Sequence, residues 1–214
     1  MNTGSDSVSV KVDNILSSKP LLIVISGPSG VGKDATLSKM KELGYNYYYV
    51  VTMTTRPKRP MEKNGIDYHF VTESTFKQMI TQKELLEWAV VYENYYGVPK
   101  HEIQQALKSG HDVVAKVDVQ GATTIKKLIP EAVFIFLLPS SLGELTERLQ
   151  QRGNHHSISD LNIRLGKAEE EMESIYIFDY VIVNSKDNLN QTASLINTIV
   201  VAEKCRVKPR IIKL

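Results

Sequence analysis

GPSGVGKDAT, residues Gly27 to Thr36, is the stretch on which the reading of the fold turns. The frame G-x-x-x-x-G-K runs from Gly27 through Gly32 to Lys33, and the hydroxyl residue that ordinarily follows the lysine is here Asp34. Glycines in such a frame let backbone N–H groups turn toward an anion. The helix that follows presents its positive end, and the lysine reaches the outer phosphates. The frame carries this meaning only between a strand and a helix. Upstream, Leu21-Leu-Ile-Val-Ile25 is an unbroken apolar run, the pattern of a strand buried on both faces of a parallel sheet. Downstream, Ala35, Leu37, Met40 and Leu43 recur at helical spacing, and Gly44 closes the helix. Gly27, Pro28, Ser29, Gly30, Val31, Gly32, Lys33, Asp34 and Ala35 are therefore expected to cradle phosphates.

The rest of the chain repeats the alternation. Val113–Val117, Val133–Leu138 and Tyr180–Val183 read as further buried strands. Helical patterns lie over Lys100–Ser109, Ala122–Ile129, Leu142–Gln151, Leu161–Ile175 and Leu189–Glu203. This implies an α/β fold, a parallel sheet with helices on both faces. Residues 52–99 break the rhythm with TTRPKRP, NGIDYHFV, a short helix Glu73–Thr81 and LLEWAVVYENYYGVP, and read as an inserted α+β subdomain. The core is then residues 20–51 and 100–204, with a polar lid at about 151–165. Residues 1–19 read as a flexible extension without the apolar centre of a signal peptide, and 205–214 as a basic tail.

Composition sets bounds. The 214 residues suit one domain with insertions, and 42% hydrophobic with 23% charged residues is ordinary for a globular chain. A net charge of +2 argues against nucleic acid as a partner. No apolar run reaches the length of a membrane span. The single cysteine, Cys205, excludes an internal disulfide framework and suits the cytoplasm.

Several residues outside the loop carry chemistry. Arg56 and Arg59 sit on a proline-stiffened segment and suit bidentate contacts to phosphate, with Tyr68 as a hydroxyl donor to the same group. Glu87, beside Trp88, can accept hydrogen bonds from the N–H edge of a guanine. Each alone reads better as a solvated charge or a strand aromatic; together, in this order after a phosphate loop, they are far more specific. Lys116 lies in the middle of the buried strand Val113–Val117, two residues before Asp118. It either pairs with Asp34 behind the loop or reaches solvent at the strand's end. Asp34 itself suits magnesium, an ion that prefers oxygen ligands. His155-His156 reads as a solvated pair, and Tyr45 to Tyr49 as a strand with its turn.

Taken in order, SGPSGVGK, TTRPKRP, NGIDYHFV, LEWAVVYENYYG, VDVQGA, ERLQQRG and FDYVIVN resemble the guanylate kinase family from Leu21 to about Glu203. The resemblance implies a P-loop enzyme of core, GMP-binding insert and lid, transferring the γ-phosphoryl group of ATP to GMP with Mg2+. By matching position it implies that Arg56, Arg59, Tyr68 and Tyr96 hold the GMP phosphate. Thr52, Glu87, Val98 and Asp118 would stand at the base. Lys33, Arg148, Arg152 and Arg164 would neutralise charge over ATP, with Asn184 near the adenine and Asp34 at the metal. dGMP is a further possible acceptor, and the chain a monomer or homo-oligomer.

The sequence departs from the family in four places. Asp34 replaces a Ser or Thr, Lys116 an Asp, and Val98 a Ser or Thr that would donate to the base. The lid segment between Arg152 and Arg164 is one residue longer than usual. Loss of the donor at position 98 leads us to expect weaker GMP affinity by roughly 1 kcal/mol. Two rivals share parts of the pattern. A ribose 1,5-bisphosphate phosphokinase also carries Asp after the lysine, but needs no guanine-reading LEWA segment. A phosphopeptide-binding module of the same fold usually degrades the loop that is intact here.

Overall fold

The computed structural model describes residues 19–91, 93–152 and 158–214. Strand β1, Leu22–Ser26, lies at the centre of a five-stranded sheet and is buried throughout. Its neighbours are β7, Val113–Lys116, and β8, Val133–Pro139. The short β2, Tyr48–Tyr49, pairs with β7, and β9, Tyr180–Asn184, pairs with β8. Every pairing is parallel, giving the order β2-β7-β1-β8-β9.

The unbroken apolar runs follow from this position. A strand's side chains alternate between faces, so a strand covered on both sides has no polar position to spare. Leu22 and Val24 join Val113, Ala115 and Phe134 on one face, under Ile103 of α3 (Lys100–Lys108) and Ile125 of α4 (Val119–Leu128). Leu21, Ile23 and Ile25 join Val114 and Ile135 on the other, under Leu37 and Met40 of α1 (Lys33–Glu42) and Ile196 and Val200 of α7 (Leu189–Lys204).

The insert forms its own four-stranded sheet, in the order β4-β3-β6-β5. Its strands are β3 (Met53–Thr54), β4 (His69–Phe70), β5 (Leu85–Val91) and β6 (Asn94–Pro99), with α2 (Glu73–Thr81) between β4 and β5. Thr72 caps α2 by accepting a bond from the Thr75 N–H at 3.1 Å. The Thr52 hydroxyl ties the start of the insert to the end of β7, donating to the Lys116 carbonyl at 3.3 Å.

α5, Leu142–Arg152, and α6, Ile158–Glu173, run into the stretch expected to be a lid at about 151–165, of which 158–165 is helical. His155 and His156 lie outside the described residues, as does the centre of that lid. Lys116 is the last residue of β7 rather than mid-strand, which corrects its expected place. The C-terminal stretch read as a basic tail is docked, with Ile212 and Leu214 packed on the core.

The dock is electrostatic as well as apolar. Arg210 donates from Nε to Glu203 Oε2 at 2.8 Å and from Nη2 to Oε1 at 3.0 Å, and from Nη1 to the Ala132 carbonyl at 2.9 Å. The Tyr180 hydroxyl donates to Glu203 Oε1 at 2.6 Å. Burial alone would raise the Glu203 pKa, but the Arg210 and Tyr180 bonds outweigh it and hold the pKa at about 2. Because the folded pKa lies below the unfolded one, this stabilisation is present above about pH 4.5 and lost as pH falls toward 2. Arg210→Met leaves the Glu203 carboxylate with the Tyr180 hydroxyl and Arg206, 3.4 Å away, and is expected to cost about 2 kcal/mol at pH 7. Urea melts of both proteins across this pH range check it: the gap must close in acid.

Candidate active site

A cavity of about 330 Å³ opens between the loop after β1 and the concave side of the insert. Ser29, Gly30, Val31, Gly32, Lys33 and Asp34 form one wall, and Thr52, Arg56, Arg59, Tyr68, Glu87 and Tyr96 another. Lys116 and Asp118 close it from the end of β7, and Arg164 and Glu171 from α6. The period of a strand explains the insert's part. Glu87, Ala89 and Val91 of β5 face inward while Trp88 and Val90 are exposed.

The loop is built from outside. Asn184, almost fully buried at the end of β9, donates from Nδ2 to the Val31 carbonyl at 2.7 Å. Arg148 donates from Nη1 to the same oxygen at 2.6 Å. In a trans peptide the next N–H points opposite to the carbonyl, so fixing the Val31 oxygen aims the Gly32 N–H the other way. Gly32 has φ 99°, and an added Cβ would stand 2.7 Å from the Asn184 amide nitrogen. Arg148 is held in turn by Glu144 at 2.5 Å and by the Asn184 carbonyl at 3.1 Å. Arg148 and Asn184 thus lie behind the loop, off the cavity wall. Gly27, Pro28 and Ala35 also lie off the wall. The Arg152 side chain is outside what the structure describes.

Lys33 folds back onto the loop, donating to the Gly27 carbonyl at 2.5 Å and the Pro28 carbonyl at 3.2 Å. Burial pushes its pKa down, partly offset by Glu171. Glu171 is a site residue that the sequence reading missed. It accepts from the Ser29 N–H at 3.1 Å, and burial pushes its own pKa up against the pull of Lys33. The sequence signal was partial: Arg164, Ala168 and Glu171 share a helix face at i, i+4 and i+7, but nothing in the spacing says that this face meets the loop.

On the insert side, Arg56 forms a two-pronged pair with Glu62, Nη2 to Oε1 at 2.8 Å and Nη1 to Oε2 at 3.0 Å. Its Nε donates to the Tyr96 hydroxyl at 3.3 Å. The Arg59 side chain is half exposed and 3.7 Å from the same carboxylate. Lys116 donates to Asp34 Oδ1 at 2.5 Å and to the Tyr68 hydroxyl at 3.0 Å. Of the two alternatives for this lysine, the structure shows the pair.

Two acids of the cavity each keep one buried oxygen with no hydrogen-bond partner among the described residues. Asp118 caps α4, its Oδ1 accepting from the Gly121 N–H at 2.8 Å, while its Oδ2 is buried and unbonded. Glu87 is 5% exposed and its Oε2 is likewise unbonded. Burial first, then the Asp118 charge, raise the Glu87 pKa to about 8. Val98, across the ladder from Glu87, is fully buried in the core and does not line the cavity.

A phosphate loop thus faces, across one cavity, a basic cluster and a pair of buried carboxylates. The guanylate kinase family model matches residues 19–203. The chain belongs to the guanylate kinase family. It is 44% identical to "Guanylate kinase 2, chloroplastic/mitochondrial" of Oryza sativa subsp. japonica over 92% of this chain and 69% of the relative. It is 41% identical to the guanylate kinase of Desulfitobacterium hafniense over 88% and 92% of the two chains. The crystal structure of guanylate kinase from Anaplasma phagocytophilum superposes with a TM-score of 0.73 at 32% identity, covering 90% of each chain. The family is one of nucleoside monophosphate kinases, and the parallel sheet with flanking helices is its P-loop fold.

The site's chemistry strains the fold that holds it. Between about pH 4.5 and 8 the folded state keeps a proton on Glu87 that the unfolded chain releases, so stability falls as pH rises through that window. Glu87→Gln removes the effect. The variant is expected to melt above the wild type at pH 7 and together with it at pH 4, as scanning calorimetry would record.

Proposed function

We propose that this cavity binds GMP beside an ATP held by the phosphate loop, and that the chain's residues divide the work by position. The family's reaction transfers the γ-phosphoryl group of ATP to GMP, giving ADP and GDP. The observation that carries the assignment is the pair of unbonded, buried oxygens, Glu87 Oε2 and Asp118 Oδ2, on the cavity that holds the loop. Carboxylate oxygens accept only, and buried ones demand donors; a ligand that supplies those donors would ionise the Glu87 that burial keeps protonated in the free protein. Guanine presents adjacent N–H donors on its Watson–Crick edge; adenine lacks the ring N–H. Thr52 stands beside the base. Arg56, Arg59, Tyr68 and Tyr96 surround the phosphate of GMP, and the Arg56 fork now occupied by Glu62 suits a phosphate equally. The named contacts address base and phosphate and leave the sugar unread, so dGMP is an acceptor too.

ATP lies along Gly27 to Ala35, with Lys33 on its outer phosphates and Asn184 and Arg148 fixing the loop's shape. Arg164 reaches the cavity from α6, and Arg152 ends α5 before the lid. Asp34 is the residue suited to a magnesium carried in on the nucleotide. It is a half-exposed carboxylate on the cavity wall, and such ions take one or two protein carboxylates plus phosphate oxygens. No cluster of three His, Cys, Asp or Glu stands ready as a metal cage among the described residues. The metal, when bound, supplies charge neutralisation at the phosphates.

The chemistry asks little else. GMP's phosphate has a second pKa of about 6 and attacks as a dianion, so no general base is required. The barrier is the approach of two anions, lowered by Lys33, the arginines and a site closed to water. The reaction belongs in a reducing, nucleotide-rich compartment such as the cytoplasm.

A coupled ADP-release assay tests the assignment with GMP, dGMP, AMP, CMP, UMP and ribose 1,5-bisphosphate as acceptors. Turnover is expected with the two guanine nucleotides only; turnover with the sugar phosphate alone would overturn it. Gly121→Ala sharpens the test, because a Cβ there would stand 2.6 Å from Glu87 Oε2. Displacing a charged acceptor is worth about 1.5–3 kcal/mol. The variant's KM for GMP should therefore rise at least about tenfold while its KM for ATP stays level.

A further inference from the structure

We propose that Lys116 is a further catalytic residue of this enzyme, a cation that leaves Asp34 and Tyr68 to contact the phosphoryl group in transit between ATP and GMP. The inference rests on the reading of the cavity as a GMP site beside an ATP site. In that transfer the bond from the γ-phosphorus to the β-bridging oxygen breaks, and its electron pair stays on ADP. A bond forms from the same phosphorus to an oxygen of the GMP dianion, and no proton moves. What the protein must supply is positive charge where the two phosphates meet.

Lys116 stands at that meeting place. It ends β7 in the core, yet its ammonium touches one group from each half of the site. Asp34, 2.5 Å away, follows the lysine of the phosphate loop on the first turn of α1. Tyr68, 3.0 Å away, belongs to the insert, among the residues assigned to the GMP phosphate. Lys116 lines the same cavity as both.

A simpler account makes Lys116 a counterion that neutralises Asp34. Burial argues against it. Lys116's side chain is 12% exposed and Asp34's is 48% exposed. A carboxylate half in water needs no buried partner, whereas burying an ammonium is costly. The desolvation therefore falls on the lysine, which a purely compensating role would not require. A cation held by a carboxylate is found again at Arg56, whose guanidinium is held by Glu62, although there both side chains are largely buried. In both places a carboxylate of single charge keeps a cation poised that a phosphate dianion can take over.

The test uses the full chain with Lys116→Met, Asp34→Ser and the double variant. Wild type and variants are measured for kcat, and for GMP binding by calorimetry without ATP or metal. The second pKa of bound GMP's phosphate is followed by phosphorus NMR. Lys116→Met is expected to lower kcat about 100-fold, the effect of removing one donor from a developing charge. It should also weaken GMP binding several-fold and raise the pKa of the bound phosphate. The double variant should stay as slow as Lys116→Met. Recovery of the double variant to the rate of Asp34→Ser would show a counterion only and overturn the proposal, as would an unchanged phosphate pKa. Should methionine unfold the chain, Lys116→Gln keeps a donor to Tyr68 and must show the same losses. A wild type that binds no GMP would instead sink the reading of the cavity, which separates the two failures.

Discussion

The loop between β1 and α1 makes its turn against the backbone of β8, where a Cβ on Gly27 would stand 2.3 Å from the Leu137 carbonyl oxygen. With φ at 142°, Gly27 also occupies backbone space that side-chain-bearing residues rarely enter. The rest of the site is arranged around the turn this contact allows. Asn184 at the end of β9 and Arg148 on α5 grip the Val31 carbonyl, so the loop's outward oxygen is satisfied by the sheet's own edge and helix. Its donors are thereby left to face the cavity. The parallel sheet brings the ends of β1, β7 and β9 to one side, which is why residues more than 150 positions apart meet at a single carbonyl.

The cavity is lined by charge of both signs. Lys33, Lys116, Arg56, Arg59 and Arg164 share it with the acids Glu87, Asp118 and Glu171. Such a lining favours a ligand that carries both anionic and donor-rich groups, and disfavours one that lacks either. It also explains why the free protein ties several cations internally. Glu62 holds Arg56 and Asp34 holds Lys116, each at hydrogen-bond distance. Bonds to a singly charged carboxylate keep these side chains ordered without making them inaccessible to a more highly charged phosphate.

The buried acids are costly to the fold. Two carboxylates with unbonded oxygens sit in a water-poor pocket, one with its pKa lifted to about 8. Nothing in the packing rewards this arrangement. It is the kind of local conflict that proteins keep where a ligand supplies the missing partners. The docked C-terminal stretch works in the other direction. Arg210 closes over Glu203 and Asp179 and adds stability far from the cavity.

The sequence by itself determined the architecture, because local rules sufficed. Apolar runs of strand length, helical spacing between them and a glycine frame at one junction admit few arrangements other than a parallel sheet with a phosphate loop. The bounds of α2 and the inserted character of 52–99 were legible for the same reason. The site was legible in part: Glu87, Arg56 and Tyr68 belong to motifs, whereas Glu171 is one acid in a run of three on a helix. Only packing chose which of the three faces the loop. The pairing of Asp34 with Lys116 lies between these cases, for the sequence offered an unusual acid and an unusual base. That they meet depends on β1 and β7 lying side by side in parallel register. Arg148 and Asn184 show the limit most plainly. The family resemblance implies that they contact nucleotide, and the tertiary structure adds that both bond the Val31 carbonyl at the back of the loop. Which side of a backbone turn a side chain reaches is fixed by distant elements packing together, not by spacing along the chain.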